Sequence, residues 1–252
     1  MTPPAFFLFG AARSGTNALT WTLQESDQIV VKNEDSADCF DNFALKDRSV
    51  IEAILHEAAP KPVFFKCFHD TPRARYLLEN FSDSRAVYSI RQPRDCIGSF
   101  INEFGQAGVD VWLDRFEVAA RDRKGLLLHI SRDDPISTEI AVERAEFVLN
   151  ELSIAGITPP NVAACYYLWA HSFADHINVD NDNRFIVIDY DRMVIDPQIT
   201  ILNVCQHFSI KTIKTNPDRW FKGRGFGKSI DISPRLLEQC QAVYDKIIGR
   251  YH

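Results

Sequence analysis

Apolar residues in this chain are concentrated in short runs separated by segments with helical spacing. The runs lie at 5–9, 28–31, 63–67, 86–91 and 184–190. Helical spacing begins at residue 16 and recurs at 48–59, 71–81, 93 onward, 161–178, 197–208 and 234–251. Continuous apolar runs are typical of strands that are buried on both faces of a parallel sheet. The alternation predicts an α/β fold, with a central, mostly parallel sheet of about five strands flanked by helices.

Two segments depart from this alternation. The first, 32–47, is acidic and polar, and we predict that it is irregular. The second, at about 110–160, is mostly helical and charged and ends at Pro159-Pro160, so we predict a helical insertion or lid over the core. The 252 residues fit a single domain that spans 1–252.

A loop of small residues joins the first predicted strand to the first predicted helix. It contains Gly10 and Gly15 with four residues between them, and the helical pattern begins directly afterwards. The N–H groups of such a loop and the dipole of the following helix attract an anion. Arg13 adds a positive charge inside the loop. The sequence therefore predicts an anion cradle formed by Arg13, Ser14, Gly15, Thr16 and Asn17.

The loop nearly matches G-x-x-x-x-G-K-[ST], the phosphate-binding motif of nucleoside triphosphatases. Thr16 stands where those enzymes have the lysine that holds the triphosphate. This difference disfavours an ordinary triphosphatase or kinase, while the anion cradle is retained. A tight turn that binds no ligand is the alternative interpretation of the loop.

Basic residues also follow two other predicted strands at their carboxyl ends, where open α/β sheets bind their ligands. Lys66 and His69 follow the third run, and Arg91 ends the fourth. Ser99 lies eight residues after Arg91, in the next helical segment. A guanidinium and a hydroxyl placed in this way can bind a second phosphate, away from the loop. The alternative for Arg91 is a surface salt bridge.

Composition narrows the function classes further. The net charge of −6 disfavours extensive nucleic-acid binding, so any anion recognition is local. The six cysteines are scattered without a C-x-x-C pair, which disfavours zinc ribbons and redox motifs and indicates core residues in a reducing compartment. We find no signal peptide and no apolar run of about 20 residues, and we expect a cytoplasmic protein without a transmembrane segment.

Three motifs carry a resemblance to a known family. They are Gly10-Ala11-Ala12-Arg13-Ser14-Gly15-Thr16-Asn17, Arg91-Gln92-Pro93-Arg94-Asp95-x-x-x-Ser99 and Ile188-Asp189-Tyr190-Asp191-Arg192-Met193-Val194-x-Asp196-Pro197. The first two resemble the cofactor motifs of sulfotransferases that use 3′-phosphoadenosine 5′-phosphosulfate (PAPS). The third is similar to the family's strand-to-helix segment Y-E-D-L…P. The resemblance covers about 5–33, 63–105 and 163–230, and it does not cover the segment at 110–160.

The resemblance implies a P-loop-like sulfotransferase fold and transfer of a sulfuryl group from PAPS to a hydroxyl or amine. The acceptor would be a small molecule, a glycan or a lipid. Residues 13–17 would hold the 5′-phosphosulfate, while Arg91 and Ser99 would hold the 3′-phosphate. Arg224, in the basic segment 222–228, would be a further ligand of the 3′-phosphate. No metal is required, because protein cations and loop N–H groups neutralise the sulfuryl oxygens.

The catalytic base has two candidates under this resemblance. His69 corresponds to the histidine of the Lys-x-His pattern in cytosolic members, although Lys66-Cys67-Phe68-His69 is one residue longer. Glu34 is the rival, because other branches of the family use a carboxylate after the second strand. Lys66 would bridge the leaving phosphate and the transferred sulfuryl group. Asp35 and Asp70 are further carboxylates in the same regions.

Two other functions remain open from the sequence. One is a P-loop kinase for a nucleotide or small molecule, against which Thr16 and the second anion site argue. The other is a non-catalytic protein that binds a nucleotide in the same fold. The sequence does not determine the acceptor, and it leaves the oligomeric state open, a homo-oligomer included.

Overall fold

The structure is a computed structural model that describes residues 2–81, 83–122, 135–179, 181–214 and 230–249. Its strands are β1 (Ala5–Gly10), β2 (Val30–Lys32), β3 (Phe40–Asp41), β4 (Ala44–Leu45), β5 (Val63–Lys66), β6 (Arg85–Ile90) and β7 (Phe185–Asp189). Its α-helices are α1 (Thr16–Gln24), α2 (Arg48–Ala58), α3 (Ala74–Asn80), α4 (Pro93–Asp122), α5 (Pro135–Ala155), α6 (Pro159–His171), α7 (Tyr190–Ile195), α8 (Pro197–His207) and α9 (Pro234–Ile248). A 3-10 helix, Phe68–Arg73, precedes α3.

A five-stranded sheet with the order β2-β5-β1-β6-β7 forms the centre of the molecule. All of its strand pairs are parallel, and Phe7 of β1 lies opposite Phe65 of β5 and Ala86 of β6. Every residue of β1 is buried, which is why its sequence is apolar without alternation. The predicted α/β fold with a parallel sheet flanked by helices is therefore confirmed.

The side chains of β1 alternate between two apolar layers, as strand geometry requires. Phe7 and Phe9 pack in one layer with α2, α3 and α9, whereas Phe6 and Leu8 pack in the other with α1 and α8. A third apolar cluster joins α4, α5 and α6 at one end of the sheet, and includes Phe116 and Trp169.

The predicted helical insertion at about 110–160 corresponds to the second part of α4, α5 and the start of α6. A kink at Gly105, with φ 54° and ψ −148°, divides α4 into a segment that carries Ser99 and a segment that carries Trp112. Both α4 and α5 pack on α6. The role of this segment as a lid stays a prediction.

Two local predictions were wrong. The polar segment 32–47 is not wholly irregular, because Phe40 and Leu45 pair in an antiparallel hairpin of β3 and β4. The helix predicted at 161–178 begins at Pro159, after the N-cap residue Thr158, and ends at His171. Thr158 accepts a hydrogen bond from a first-turn N–H group, and proline is favoured at the first helical position.

The cysteines belong to the core, as predicted, and His171 is buried there as well. All six cysteines are buried free thiols. His171 is hydrogen-bonded through Nδ1 to the Tyr88 hydroxyl at 3.0 Å, and burial lowers the pKa of His171 to about 3. Among the helices that the structure describes, none has the length and apolar character to cross a bilayer.

Candidate functional site

The sheet order brings the carboxyl ends of β5, β1 and β6 side by side, with β1 in the middle. The chain adds strands first on one side of β1 and then on the other, and ligands of open α/β sheets bind at such a reversal. A cavity of about 400 Å³ lies there. It is lined by Ala12, Arg13, Gly15, Thr16, Asn17, Ala18, Trp21, Glu34, Lys66, Phe68, Arg91, Ser99, Asn102, Glu103, Phe104 and Tyr190.

The loop after β1 is fixed by distant polar side chains. Gly10 has a φ of 124°, and a Cβ atom at this position would lie 2.2 Å from the Ser89 carbonyl oxygen. The Thr71 hydroxyl accepts the Gly10 N–H at 2.9 Å. The Ala12 N–H donates to the Tyr166 hydroxyl at 2.7 Å. These contacts hold the loop in one conformation, so a ligand would not have to order it.

The N-terminus of α1 opens directly into the cavity. Gly15 is its N-cap residue, with a φ of 87°, and a Cβ atom there would lie 2.1 Å from the Tyr190 ring. Within the described residues, no side chain caps α1, and its first turn carries no acidic residue. The first N–H groups of a helix have no intrahelical acceptor and form the positive end of the helix dipole. This end of the cavity can therefore bind an anion.

A second group of anion-binding side chains lies around Arg91 at the end of β6. Arg91 is buried, its guanidinium lies 4.6 Å from the centroid of the Tyr190 ring, and it donates to the Arg13 carbonyl at 3.3 Å. Arg13 Nε donates to the buried Ser99 hydroxyl at 3.1 Å. The half-exposed Glu103 lies 3.2 Å from Arg13. Two guanidiniums and a hydroxyl in this arrangement suit a phosphate group.

An ion pair of Lys66 and Glu34 lies at the end of β5. Lys66 Nζ lies 2.5 Å from Glu34 Oε1 and also contacts Asn17 Oδ1 on α1. Lys66 is 5% exposed, and burial lowers its pKa, while Glu34 opposes that shift. Glu34 Oε2 is buried and has no hydrogen-bond partner in the described part of the chain. One oxygen of this carboxylate is therefore left to accept a hydrogen bond.

His69 lies beside the cavity and is not among its lining residues. Its ring contacts Phe68, which lines the cavity, at a centroid distance of 4.4 Å. It also stacks with Phe43 at 5.7 Å and with Trp112 at 6.1 Å. The Arg115 guanidinium donates to His69 Nδ1 at 3.5 Å.

Two aromatic side chains give the cavity an apolar surface. Trp21 on α1 and Phe104 on α4 both line it, and each is 41% exposed. Exposed rings of this kind accept a stacked base or another flat apolar group. The cavity thus combines cations, helix N–H groups and aromatic faces, a combination that suits a nucleotide.

Comparison with known proteins gives structural matches without sequence matches. No family model and no curated protein matches the chain. A sulfotransferase from Alicyclobacillus acidocaldarius superposes with a TM-score of 0.51 at 17% identity, covering 98% of this chain and 93% of that one. The sulfotransferase STF9 from Mycobacterium avium gives a TM-score of 0.55 at 11% identity, with coverages of 98% and 77%. The chain has the sulfotransferase fold.

This sulfotransferase fold brings most of the predicted site residues together. Most of them line one cavity, and Ser14 is buried in the loop behind it. The predicted residues that line the cavity are Arg13, Gly15, Thr16, Asn17, Glu34, Lys66, Arg91 and Ser99. His69 lies outside the lining. Arg224 lies outside the described residues, so its predicted role stays a prediction.

Several residues that shape this sulfotransferase-fold site carried no functional signal in the sequence. The buried Tyr166 accepts the Ala12 N–H at 2.7 Å, and the buried Tyr167 donates its hydroxyl to the Arg91 carbonyl at 2.9 Å. The Thr71 hydroxyl accepts the N–H of Gly10 in the loop, although the two residues are 61 positions apart in the sequence. The one available signal was general, because a buried tyrosine hydroxyl usually has a hydrogen-bond partner.

Proposed function

We propose that the chain is a sulfotransferase that uses PAPS as its sulfuryl donor. Structural similarity to sulfotransferases supports the reaction type. The observation that carries the proposal is the presence of two separate anion-binding groups in one cavity. One is the N-terminus of α1 with Lys66, and the other is Arg91 with Arg13 and Ser99.

The residues present fit this donor. The N-terminus of α1 suits the 5′-phosphosulfate, since no described side chain caps it and its first turn carries no acidic residue. Arg91 and Ser99 suit the 3′-phosphate, and Trp21 offers a face for the base. When bound, PAPS supplies a sulfuryl group joined through oxygen to its 5′-phosphate. Thr16, in place of the lysine of kinases, is consistent with a donor that lacks a triphosphate.

Glu34 is our proposed general base. Its unpartnered Oε2 would accept the proton of an acceptor hydroxyl, which would also satisfy a buried oxygen that is costly to leave unbonded. As that proton moves to Glu34, the acceptor oxygen bonds to sulfur, and the bond from sulfur to the 5′-phosphate oxygen breaks. The electron pair stays on the phosphate oxygen. Lys66, which lines the same cavity, would neutralise that charge, as in other transfers that depend on electrostatic stabilisation.

We propose that the acceptor is a hydroxyl or amine compound that enters beside Glu34, and that protein cations make a metal unnecessary. In the described ranges, no group of three or more histidine, cysteine or acidic residues is placed to hold a metal ion. The acceptor would be a small molecule, a glycan or a lipid.

Transfer of label from ³⁵S-labelled PAPS tests this proposal. We expect label to pass to members of a panel of phenols, amines, glycans and lipids, in amounts equal to the adenosine 3′,5′-bisphosphate released. The parallel assay supplies γ-labelled ATP with magnesium and the same panel. Phosphoryl transfer without sulfuryl transfer would contradict the proposal and favour the kinase. Nucleotide binding with no transfer of either group would favour the non-catalytic alternative.

A further inference from the structure

A row of aromatic rings continues from the lining of the cavity toward Trp112. It begins at Phe68, which lines the cavity with its ring 5.4 Å from Lys66 Nζ. The rings of His69, Phe43 and Trp112 continue the row. The term aromatic shelf refers here to the rings of Phe43, His69 and Trp112 together with Arg115, whose guanidinium contacts two of them.

Phe43 is held in an unfavourable backbone conformation at one end of the aromatic shelf. Asn42 and Phe43 form the two-residue turn between β3 and β4, with φ values of 48° and 68°. The left-handed region is unfavourable for an L-residue, and this turn normally has glycine at its second position. Phe43 is also 51% exposed. A large ring kept both strained and exposed over His69 is more easily explained by a ligand contact than by packing.

The hairpin and His69 are fixed relative to each other by a buried ion pair. Asp70 and Arg73, each 1% exposed, pair at 3.1 Å on the 3-10 helix that carries His69. Asp70 accepts the Leu45 N–H at 2.9 Å, and Arg73 donates to the Leu45 carbonyl at 3.1 Å. The aromatic shelf is therefore a preformed surface.

Arg115 brings a positive charge to the aromatic shelf. Its guanidinium lies 4.8 Å from the Trp112 ring and donates to His69, and within the described ranges it forms no ion pair. Burial lowers the pKa of Arg115, while Tyr166 and the neighbouring Asp114 oppose that shift. Because no carboxylate of the described ranges contacts this partly desolvated guanidinium, an anionic ligand would offset part of the cost of burying it.

We propose that the aromatic shelf is the acceptor subsite, and that it binds an aromatic hydroxy compound that carries a carboxylate. This inference rests on the proposed function, since it concerns the second substrate of that reaction. Phe43 and His69 contact the flat frame of the acceptor, and the buried Trp112 supports His69 from behind. Arg115 binds the carboxylate of the acceptor, whose hydroxyl lies toward Glu34 past Phe68.

Matched acids and esters test the proposal. The probes are 4-hydroxybenzoate, 4-hydroxyphenylacetate and 4-hydroxycinnamate, each beside its methyl ester, and their binding is measured by calorimetry with and without adenosine 3′,5′-bisphosphate. We expect at least one acid to bind about tenfold more tightly than its ester, because one charge-assisted hydrogen bond is worth about that factor. Arg115→Gln should abolish the preference, and Arg115→Lys should keep part of it.

Arg121→Gln is the control, because Arg121 is an exposed arginine on the same helix, paired with Glu117. Arg121→Gln should leave the preference for the acid over its methyl ester unchanged. Equal binding of every acid and its ester by the wild type, or a preference that survives in Arg115→Gln, would overturn the proposal. Failure of the proposed function is seen separately, as wild-type protein that does not bind adenosine 3′,5′-bisphosphate, whereas Arg115→Gln should bind this nucleotide normally.

Discussion

Replacing Glu34 with glutamine is expected to lower kcat for sulfuryl transfer by about 10²–10⁴-fold, the usual contribution of a general base. Glutamine keeps the size of the side chain and can still accept a hydrogen bond from Lys66, but it cannot take the acceptor's proton. The reason for choosing this carboxylate is its position. Glu34 lines the cavity, is paired through Oε1 with Lys66 and has a buried, unpartnered Oε2. The measurement is the rate of transfer to any acceptor found with labelled PAPS.

Asp35→Asn is the matched control for Glu34→Gln, because Asp35 is the neighbouring carboxylate, is exposed and does not line the cavity. Its kcat should stay within about twofold of the wild type, as expected for a surface substitution.

His69→Ala separates the two candidate bases. If His69→Ala loses kcat while Glu34→Gln remains active, the base is His69 and our assignment is wrong.

Gly15→Ala is expected to lower the free energy of unfolding by about 2–5 kcal/mol, from a left-handed backbone and an overpacked site. The new Cβ atom would lie 2.1 Å from the Tyr190 ring, which is buried and stacks on the Arg91 guanidinium. The ring must move, and Arg91 with it, so binding of adenosine 3′,5′-bisphosphate should weaken as well. Urea unfolding and calorimetric titration measure the two effects.

Gly156→Ala controls for backbone conformation in this experiment. Gly156 has a φ of 86°, close to the 87° of Gly15, but a Cβ atom there would meet nothing within 4 Å. Gly156→Ala should lower the free energy of unfolding by about 1–2 kcal/mol and leave nucleotide binding unchanged. Equal destabilisation by the two substitutions would show that the Tyr190 contact does not constrain the loop.

Much of the fold was predictable because its strands are buried on both faces. Such strands appear in the sequence as unbroken apolar runs, and β1 at Ala5–Gly10 is the clearest example. The hairpin of β3 and β4 was missed for two reasons. Each strand has two residues, too few to show alternation, and Asn42-Phe43 is not a typical turn pair.

The site was predictable where its chemistry is local in sequence. The loop residues around Arg13 are recognisable from glycine spacing, since the close approaches that exclude a side chain occur at Gly10 and Gly15. Contacts across the fold were not predictable in this way. The hydrogen bond from Ala12 to Tyr166 spans 154 positions, and the aromatic shelf combines residues of a hairpin, a 3-10 helix and α4. Neither this hydrogen bond nor the aromatic shelf leaves a pattern in the sequence.

The most direct test of the central claim is a calorimetric comparison of adenosine 3′,5′-bisphosphate with adenosine 5′-monophosphate, which differ by the 3′-phosphate alone. We expect the bisphosphate to bind about 100-fold more tightly, because Arg91 and Ser99 would each add a hydrogen bond to that phosphate. Arg91→Ala should remove most of the difference. Equal affinity for the two nucleotides, or binding of ATP with magnesium alone, would contradict a PAPS site in this cavity.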